Sequence, residues 1–355
     1  GGLHATGGAI SAEKSHWCLV SFEWKADGSY TYSTNAEVPG DVWVTDHDGV
    51  RKKLRRMEPT VGDRMLGVRL SVDGKDKEEV QFRIDQATKW RDSLWAGHLP
   101  RHLAAQNLNT TIMKQLEYPL PATTFNRKEC EDIMKPVLAA ALPCSGVVRT
   151  LNRAIVYGPL KYQGLGLNHL YVSQGIAHIE VLLKFSHISD DPTGKLLRTS
   201  AQYLLLELGT EQGLFQHDFQ KLGPMTTHSW MKCTWQFFHE YGIDLITPMP
   251  KLQLQCPDDS FLITEFQKHH TPKELKRLNR CRLFLQVCTL ADIVTANGKY
   301  ITKQAWTGVR DTSRTSQYNW PVQGRPAEEN WRLFREALTK AYGVEPRNRR
   351  INLPL

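Results

Sequence analysis

Close-spaced cysteine pairs are missing from this chain. Its seven cysteines, Cys18, Cys130, Cys144, Cys233, Cys256, Cys281 and Cys288, are odd in number and widely spread, with no C-x-x-C among them. That pattern speaks against a disulfide framework and for reduced, mostly buried thiols. It also speaks against zinc, whose ligands come as near neighbours because each pair closes a small chelate loop. Cys256, His269, His270, Cys281 and Cys288 lack such pairs, and Cys281 and Cys288 share one face of an apolar-periodic helix, as small core residues do. Long apolar runs are absent too: no stretch reaches the 18 or so residues of a membrane-spanning helix. G-x-x-x-x-G-K-[ST], H-E-x-x-H and G-x-S-x-G do not occur. The expectation is an intracellular protein, nuclear or cytoplasmic, without a membrane partner.

What is present is ordinary globular material. Of 355 residues, 41% are hydrophobic and 23% charged, enough for real cores and two or three domains. A formal charge of +8 raises the expectation of an anionic partner such as nucleic acid.

Residues 1–75 read as strand-rich, with hairpin turns at Asp27-Gly28 and Asp48-Gly49 and a further run, RMLGVRLSVDG, ending at Asp73-Gly74. From about Lys75 the period becomes helical: Val80, Ile84, Ala87 and Leu94 recur near 3.6 residues, and Gly97 and Pro100 stop the run. Further helices are expected over 101–117, 127–141, 170–187, 195–208, 228–241, 272–293 and 327–341. Thr271, Pro272 and Glu274 form a complete start signal for the sixth of these. The resulting fold class is α+β. Antiparallel hairpins occupy 1–75 and helices dominate 76–160, 161–250 and 251–355, with Pro-rich joints at 116–124 and 246–259.

Three chemistry-bearing patterns stand out. YQGLGLNHL at 162–170 lacks the third glycine of a dinucleotide loop and reads as a tight turn with close backbone packing. Asp190-Asp191 and Asp258-Asp259 both stand where helices begin and read as caps or helix entries, not as paired metal ligands. Basic clusters remain: Arg51, Lys52, Lys53, Arg55 and Arg56 around Leu54, and Lys273, Lys276, Arg277 and Arg280 along one expected helical face, with Trp and Tyr rings nearby. Together they suit phosphate contact.

GGLHATGGAISAEKSHWCLV resembles the helix–turn–strand unit that follows the catalytic hairpin in retroelement reverse transcriptases, with Lys14 at the lysine before the strand. RMLGVRLSVDG resembles the "-LG-" primer grip of that family, with Leu66, Gly67 and Val68 at the matching positions. LNTTIMKQLEYPLPATT is similar to the thumb helices of non-LTR-type polymerases, and YGPLKYQGLGLNHLY to a "GGLGL" element with Gln163 for the first glycine. LNRCRLFLQVCTLADI is similar to the helical region further downstream. The resemblance implies a partial right-hand palm followed by thumb-like and C-terminal helices, RNA-directed DNA synthesis, and an RNA/DNA primer-template as partner. Lys14 would contact the triphosphate or pyrophosphate, and Arg101 and Lys114 would join the phosphate contacts. It also implies two Mg²⁺ ions in an intact enzyme, held by aspartates expected N-terminal to Gly1 together with the rest of palm and fingers. No cofactor is expected in this chain, whose nearest imitation of the Y-x-D-D motif is I-S-D-D at 188–191. The alternative is a helical nucleic-acid-binding or assembly module without chemistry of its own.

Overall fold

The structure, a computed structural model, describes residues 11–25, 29–45, 48–188, 190–211, 213–245, 250–313 and 318–351. It is a mixed α+β protein, about 49% helical. The chain groups into two compact units, residues 1–23 with 31–177 and residues 24–30 with 178–355. The helix expected at the extreme N-terminus and the Asp27-Gly28 turn lie outside the described residues, as does part of the 246–259 joint.

Eight three-residue strands are described: β1 (His16–Cys18), β2 (Phe22–Trp24), β3 (Tyr30–Tyr32), β4 (Trp43–Thr45), β5 (Arg51–Lys53), β6 (Arg55–Met57), β7 (Asp63–Met65) and β8 (Val68–Leu70). They pair two by two. β4–β5 is the antiparallel hairpin that the Asp48-Gly49 signal predicts. β7–β8 is also antiparallel but turns at Leu66-Gly67, and Asp73-Gly74, expected as a hairpin turn, instead lies between β8 and the first long helix. β1 departs from that expectation, because it pairs in parallel with β6, His16 opposite Arg55 and Trp17 opposite Arg56. Leu54 separates β5 from β6. It is buried between β5 and β6 and donates its N–H to the Val42 carbonyl at 2.9 Å, so the basic run turns about an apolar pivot.

The helices of the first unit are α1 (Lys77–Ala96), α2 (Arg101–Asn107), α3 (Met113–Glu117), α4 (Arg127–Cys144), α5 (Arg153–Tyr157) and the start of α6 (Leu170–Phe185). A π-helical turn, Leu108–Ile112, joins α2 to α3. α1 lies along α4, and Leu94 of α1, Ala104 of α2 and Ala140 of α4 form one cluster with Trp90 and Cys144 against it. α4 passes its expected end and includes Pro143, since the Ser145 and Gly146 N–H groups take the Ala141 and Pro143 carbonyls. Gln174 of α6 bonds the Phe125 N–H, the Phe125 carbonyl and the Thr123 hydroxyl at 2.9–3.1 Å, holding the α3–α4 loop.

The second unit contains the rest of α6, then α7 (Pro192–Leu208), α8 (Phe219–Leu222), α9 (Trp230–Tyr241), α10 (Leu262–Phe266), α11 (Pro272–Leu285), α12 (Lys303–Thr307) and α13 (Glu328–Tyr342). Trp235, Phe238, Phe266, Trp331 and Phe334 are fully buried in it, the last three in edge-to-face contacts near 5.8 Å. Asp191 caps α7 by accepting from the Gly194 N–H at 2.9 Å, as its place before Pro192 predicts. Asp259 is not a cap: it is buried and accepts from the Gln255, Ser260 and Ala291 N–H groups. α11 opens on the Thr271–Glu274 capping box but stops at Leu285, well short of 293. Gln286 turns left-handed there, and the Asp292 carboxylate takes the Cys288 and Thr289 N–H groups, bending the chain away. No described helix is long and apolar enough to cross a membrane.

The 162–170 stretch packs backbone on backbone. Leu165, Gly166 and Leu167 donate to the Ile155, Gly158 and Val156 carbonyls at 2.8–3.1 Å, and a Cβ on Gly164 would enter the Gly158 carbonyl. Gln163 has φ +63°, a conformation that glycine adopts without strain. Opposite effects are therefore expected in urea unfolding. Gln163→Gly should stabilise by roughly 0.5–1 kcal/mol, and Gly164→Ala should destabilise by about 3 kcal/mol or more.

Candidate nucleic-acid interface

The β7–β8 hairpin closes through only two residues, Leu66 at φ +50° and Gly67 at φ +91°. Two consecutive positive φ angles make the twist that a two-residue hairpin needs, and Asn-Gly is the usual choice for it. Leucine in that first position is strained, and its side chain is 94% exposed. Strain and apolar exposure thus coincide at the tip.

Below the tip, four groups fix the turn. Tyr118 donates its hydroxyl to the Leu66 carbonyl at 2.8 Å, and its ring lies so close to Gly67 that a Cβ there would come within 3.1 Å. Arg83 of α1 donates Nη2 to the Gly67 carbonyl at 3.0 Å, Nη1 to the Gln115 carbonyl at 3.1 Å and to Gln86 Oε1 at 3.0 Å, and Nε to Glu79 Oε1 at 2.6 Å. Glu79, fully buried, pairs again with Nη2 and accepts from the Arg69 N–H at 2.7 Å. The Arg69 and Arg83 guanidiniums both lie over the Phe82 ring, 5.0 and 5.1 Å from its centre.

Tip, α1 and the π turn enclose an open groove of about 630 Å³. Thr110 and Thr111 of the π turn line it, together with Arg64 and Lys114. Single π turns recur at functional sites because the extra residue redirects side chains. Lys114 is well exposed and 3.6 Å from Glu117, a loose surface pair. Of the residues expected from sequence, Leu66, Gly67 and Lys114 therefore meet at one groove, while Val68 is buried beneath it.

The remaining sequence candidates stand elsewhere. Lys14 ends a short 3₁₀ turn, with Ser15 between it and β1, the strand paired with β6. Arg51 stacks on Trp43 at 5.4 Å and Arg56 on Trp17 at 4.9 Å. Lys53 pairs with Asp41 at 2.7 Å and Arg55 with Asp63; Lys52 sits between them on exposed β5. Desolvation would raise the Asp63 carboxyl, but the Arg64 N–H, Arg55 and His16 together hold it below its ordinary value. Arg101 packs over Gly146 past the end of α4, some ~20 Å along the helical rise from Lys114. In the second unit the expected single basic face of α11 is split. Arg277 turns to α13 and bonds Asn330 Oδ1 at 2.6 Å, Lys276 and Arg280 line a pocket, and Lys273 is exposed. Residues 276 and 277 are ~100° apart around a helix, so they cannot share a narrow face.

Asp191 of I-S-D-D is committed to capping α7. Among the described residues no three His, Cys, Asp or Glu side chains converge.

No protein-family model, no curated protein and no solved structure matches this chain.

Sequence reasoning missed Arg83, Glu79, Tyr118 and the two threonines. Glu79 and Arg83 do have the i, i+4 spacing of a helical ion pair, but most such pairs are solvated, and burial is what gives this one its consequence. Arg83→Met should cost about 3–5 kcal/mol, because it leaves a buried carboxylate unpaired. Adding Glu79→Gln should return a large part of that loss. Denaturant unfolding of the two variants and the parent measures both steps, and a fully additive double mutant would show that the pair does not act as a unit.

Proposed function

We propose that this chain is the C-terminal portion of a transposable-element reverse transcriptase. It grips an RNA/DNA primer-template and does not itself carry the catalytic aspartates. The Leu66–Gly67 tip is the observation that carries this reading. A chain selected for stability alone would place asparagine or glycine at position 66. An exposed, strained leucine held rigidly from below is suited to lying against another molecule. Its groove is flanked by the Lys114 and Arg64 cations and the Thr110 and Thr111 hydroxyls, the donor types that hold a phosphate–sugar backbone. Lys14, on the turn before β1, keeps its proposed place toward a triphosphate in the intact enzyme, where two Mg²⁺ ions would be bound by residues outside this chain.

The test sets stability against binding. Leu66→Asn is expected to raise stability by about 1 kcal/mol, since it relieves the left-handed strain. It should also weaken binding of a labelled RNA/DNA primer-template with a recessed end. Arg64→Gln and Lys114→Gln should each flatten the dependence of log K on log salt by about one phosphate contact. Binding no tighter than a charge-matched control protein would remove the proposal. Salt-dependent binding that ignores Leu66 and the recessed end would transfer the assignment to the non-enzymatic nucleic-acid-binding module.

A further inference from the structure

The second unit contains a pocket of about 410 Å³ that the hairpin groove does not explain. Its volume lies in the range of small-molecule sites, roughly 300–1,000 Å³. Three aromatic side chains open onto it, Trp24, Tyr30 and Tyr203, each more than a third exposed. Trp24 meets Tyr30 edge-on at 5.6 Å, and its ring is seated on Gly324, where a Cβ would come within 2.8 Å. The indole is therefore held in place with much of its surface still in water.

Cations and a carboxylate complete the lining. Lys276 and Arg280, one helical turn apart on α11, both face the pocket. Glu207, from the last turn of α7, is buried at its inner side. One Glu207 oxygen accepts the Thr227 N–H at 3.0 Å and the other the Thr227 hydroxyl at 2.8 Å. Each oxygen retains a lone pair, because a carboxylate has about four acceptor positions. Burial raises the Glu207 carboxyl above its ordinary value, and the Tyr203 hydroxyl is pushed up to about 12, so it stays a donor. Lys232, donating to the Thr226 carbonyl at 2.8 Å, fixes the Thr226-Thr227 segment.

Exposed rings interleaved with cations form the usual surface for an unpaired strand, since rings stack on bases and cations follow phosphates. We propose that this pocket receives one unpaired nucleotide, its base against Tyr203, Trp24 and Tyr30, its phosphate at Lys276 and Arg280, and its N–H edge toward Glu207. A carboxylate accepts two parallel N–H donors, and guanine presents N1–H beside N2–H, so guanine is the preferred base. The inference rests on the nucleic-acid reading above and deepens it, but it concerns a different unit of the chain.

Calorimetric titration of the full chain with GMP, AMP and inorganic phosphate tests it apart from primer-template binding. GMP should bind saturably and more tightly than AMP or phosphate. Lys276→Gln/Arg280→Gln and, separately, Tyr203→Ala should each weaken GMP on the order of tenfold. The charge-matched pair Lys299→Gln/Lys303→Gln should leave GMP binding unchanged, and circular dichroism checks that every variant is folded. Since Lys276 is exposed and Arg280 half-buried, neither in the apolar core, that variant keeps the test sound even where Tyr203→Ala does not fold. Phosphate binding as tightly as GMP would reduce the pocket to an anion site and overturn the proposal. Lack of saturation by GMP while primer-template still binds would overturn the pocket alone. GMP binding without primer-template binding would uphold the pocket and remove the polymerase-fragment reading.

Discussion

A buried guanidinium organises each unit of this protein, and both follow the same accounting of donors. A desolvated arginine is costly unless all five of its N–H groups find acceptors. Arg83 meets that condition with Glu79 twice, Gln86 once and the carbonyls of Gln115 and Gly67. Those partners lie on α1, on α3 and on the hairpin tip, so one side chain ties three elements together. The tip is three residues of strand on either side of a turn, too short to hold an orientation unaided.

Arg282 solves the same problem without a bonded anion. Its donors reach Asn279 Oδ1, the Val287 carbonyl, the Cys288 sulfur and the carbonyls of Leu206 and Glu207. The last two belong to the final turn of α7, where helix carbonyls lack intrahelical partners and carry the negative end of the dipole. The guanidinium thus neutralises a buried helix terminus, and the charges of Asp292 and Glu207 add to its field. Through the neighbouring Glu207 the same arrangement sets one side of the aromatic pocket, so the core of the second unit and its candidate site share a wall.

These two arginines also mark the boundary of what could be read from the residues. Local signals transferred well where a cap decides: Asp191 before Pro192 and Thr271 with Glu274 each concern neighbours within one helical turn. The apolar period of α1 transferred in part, since Ala87 and Leu94 are buried but Glu79 and Arg83 take the places beside them while Val80 and Ile84 stay half-buried. Long-range choices did not transfer. The parallel pairing of β1 with β6 joins segments far apart in the chain. A competing local signal also went unread: the Asp292 carboxylate takes the Cys288 and Thr289 N–H groups beyond the early end of α11. Arg282 falls inside a basic stretch and looks like a further surface cation, yet it is wholly buried. Charge patterning counts cations but is silent on which of them the fold takes inside.

The same distinction governs the basic strands. Net charge of +8 gives the long-range attraction for an anion, but not every cation near β5 and β6 contributes to it equally. Lys53 and Arg55 are each matched by an aspartate, which cancels most of their distant field. Arg51 and Arg56 lie on tryptophan rings, which leave the charge in place and restrict only its motion. A stacked guanidinium still offers its N–H edge to a phosphate, and it loses less conformational freedom on contact than an unrestrained side chain does. The run that reads as five equivalent cations is therefore, in physical terms, two ion pairs and two ring-stacked guanidiniums with Lys52 between them.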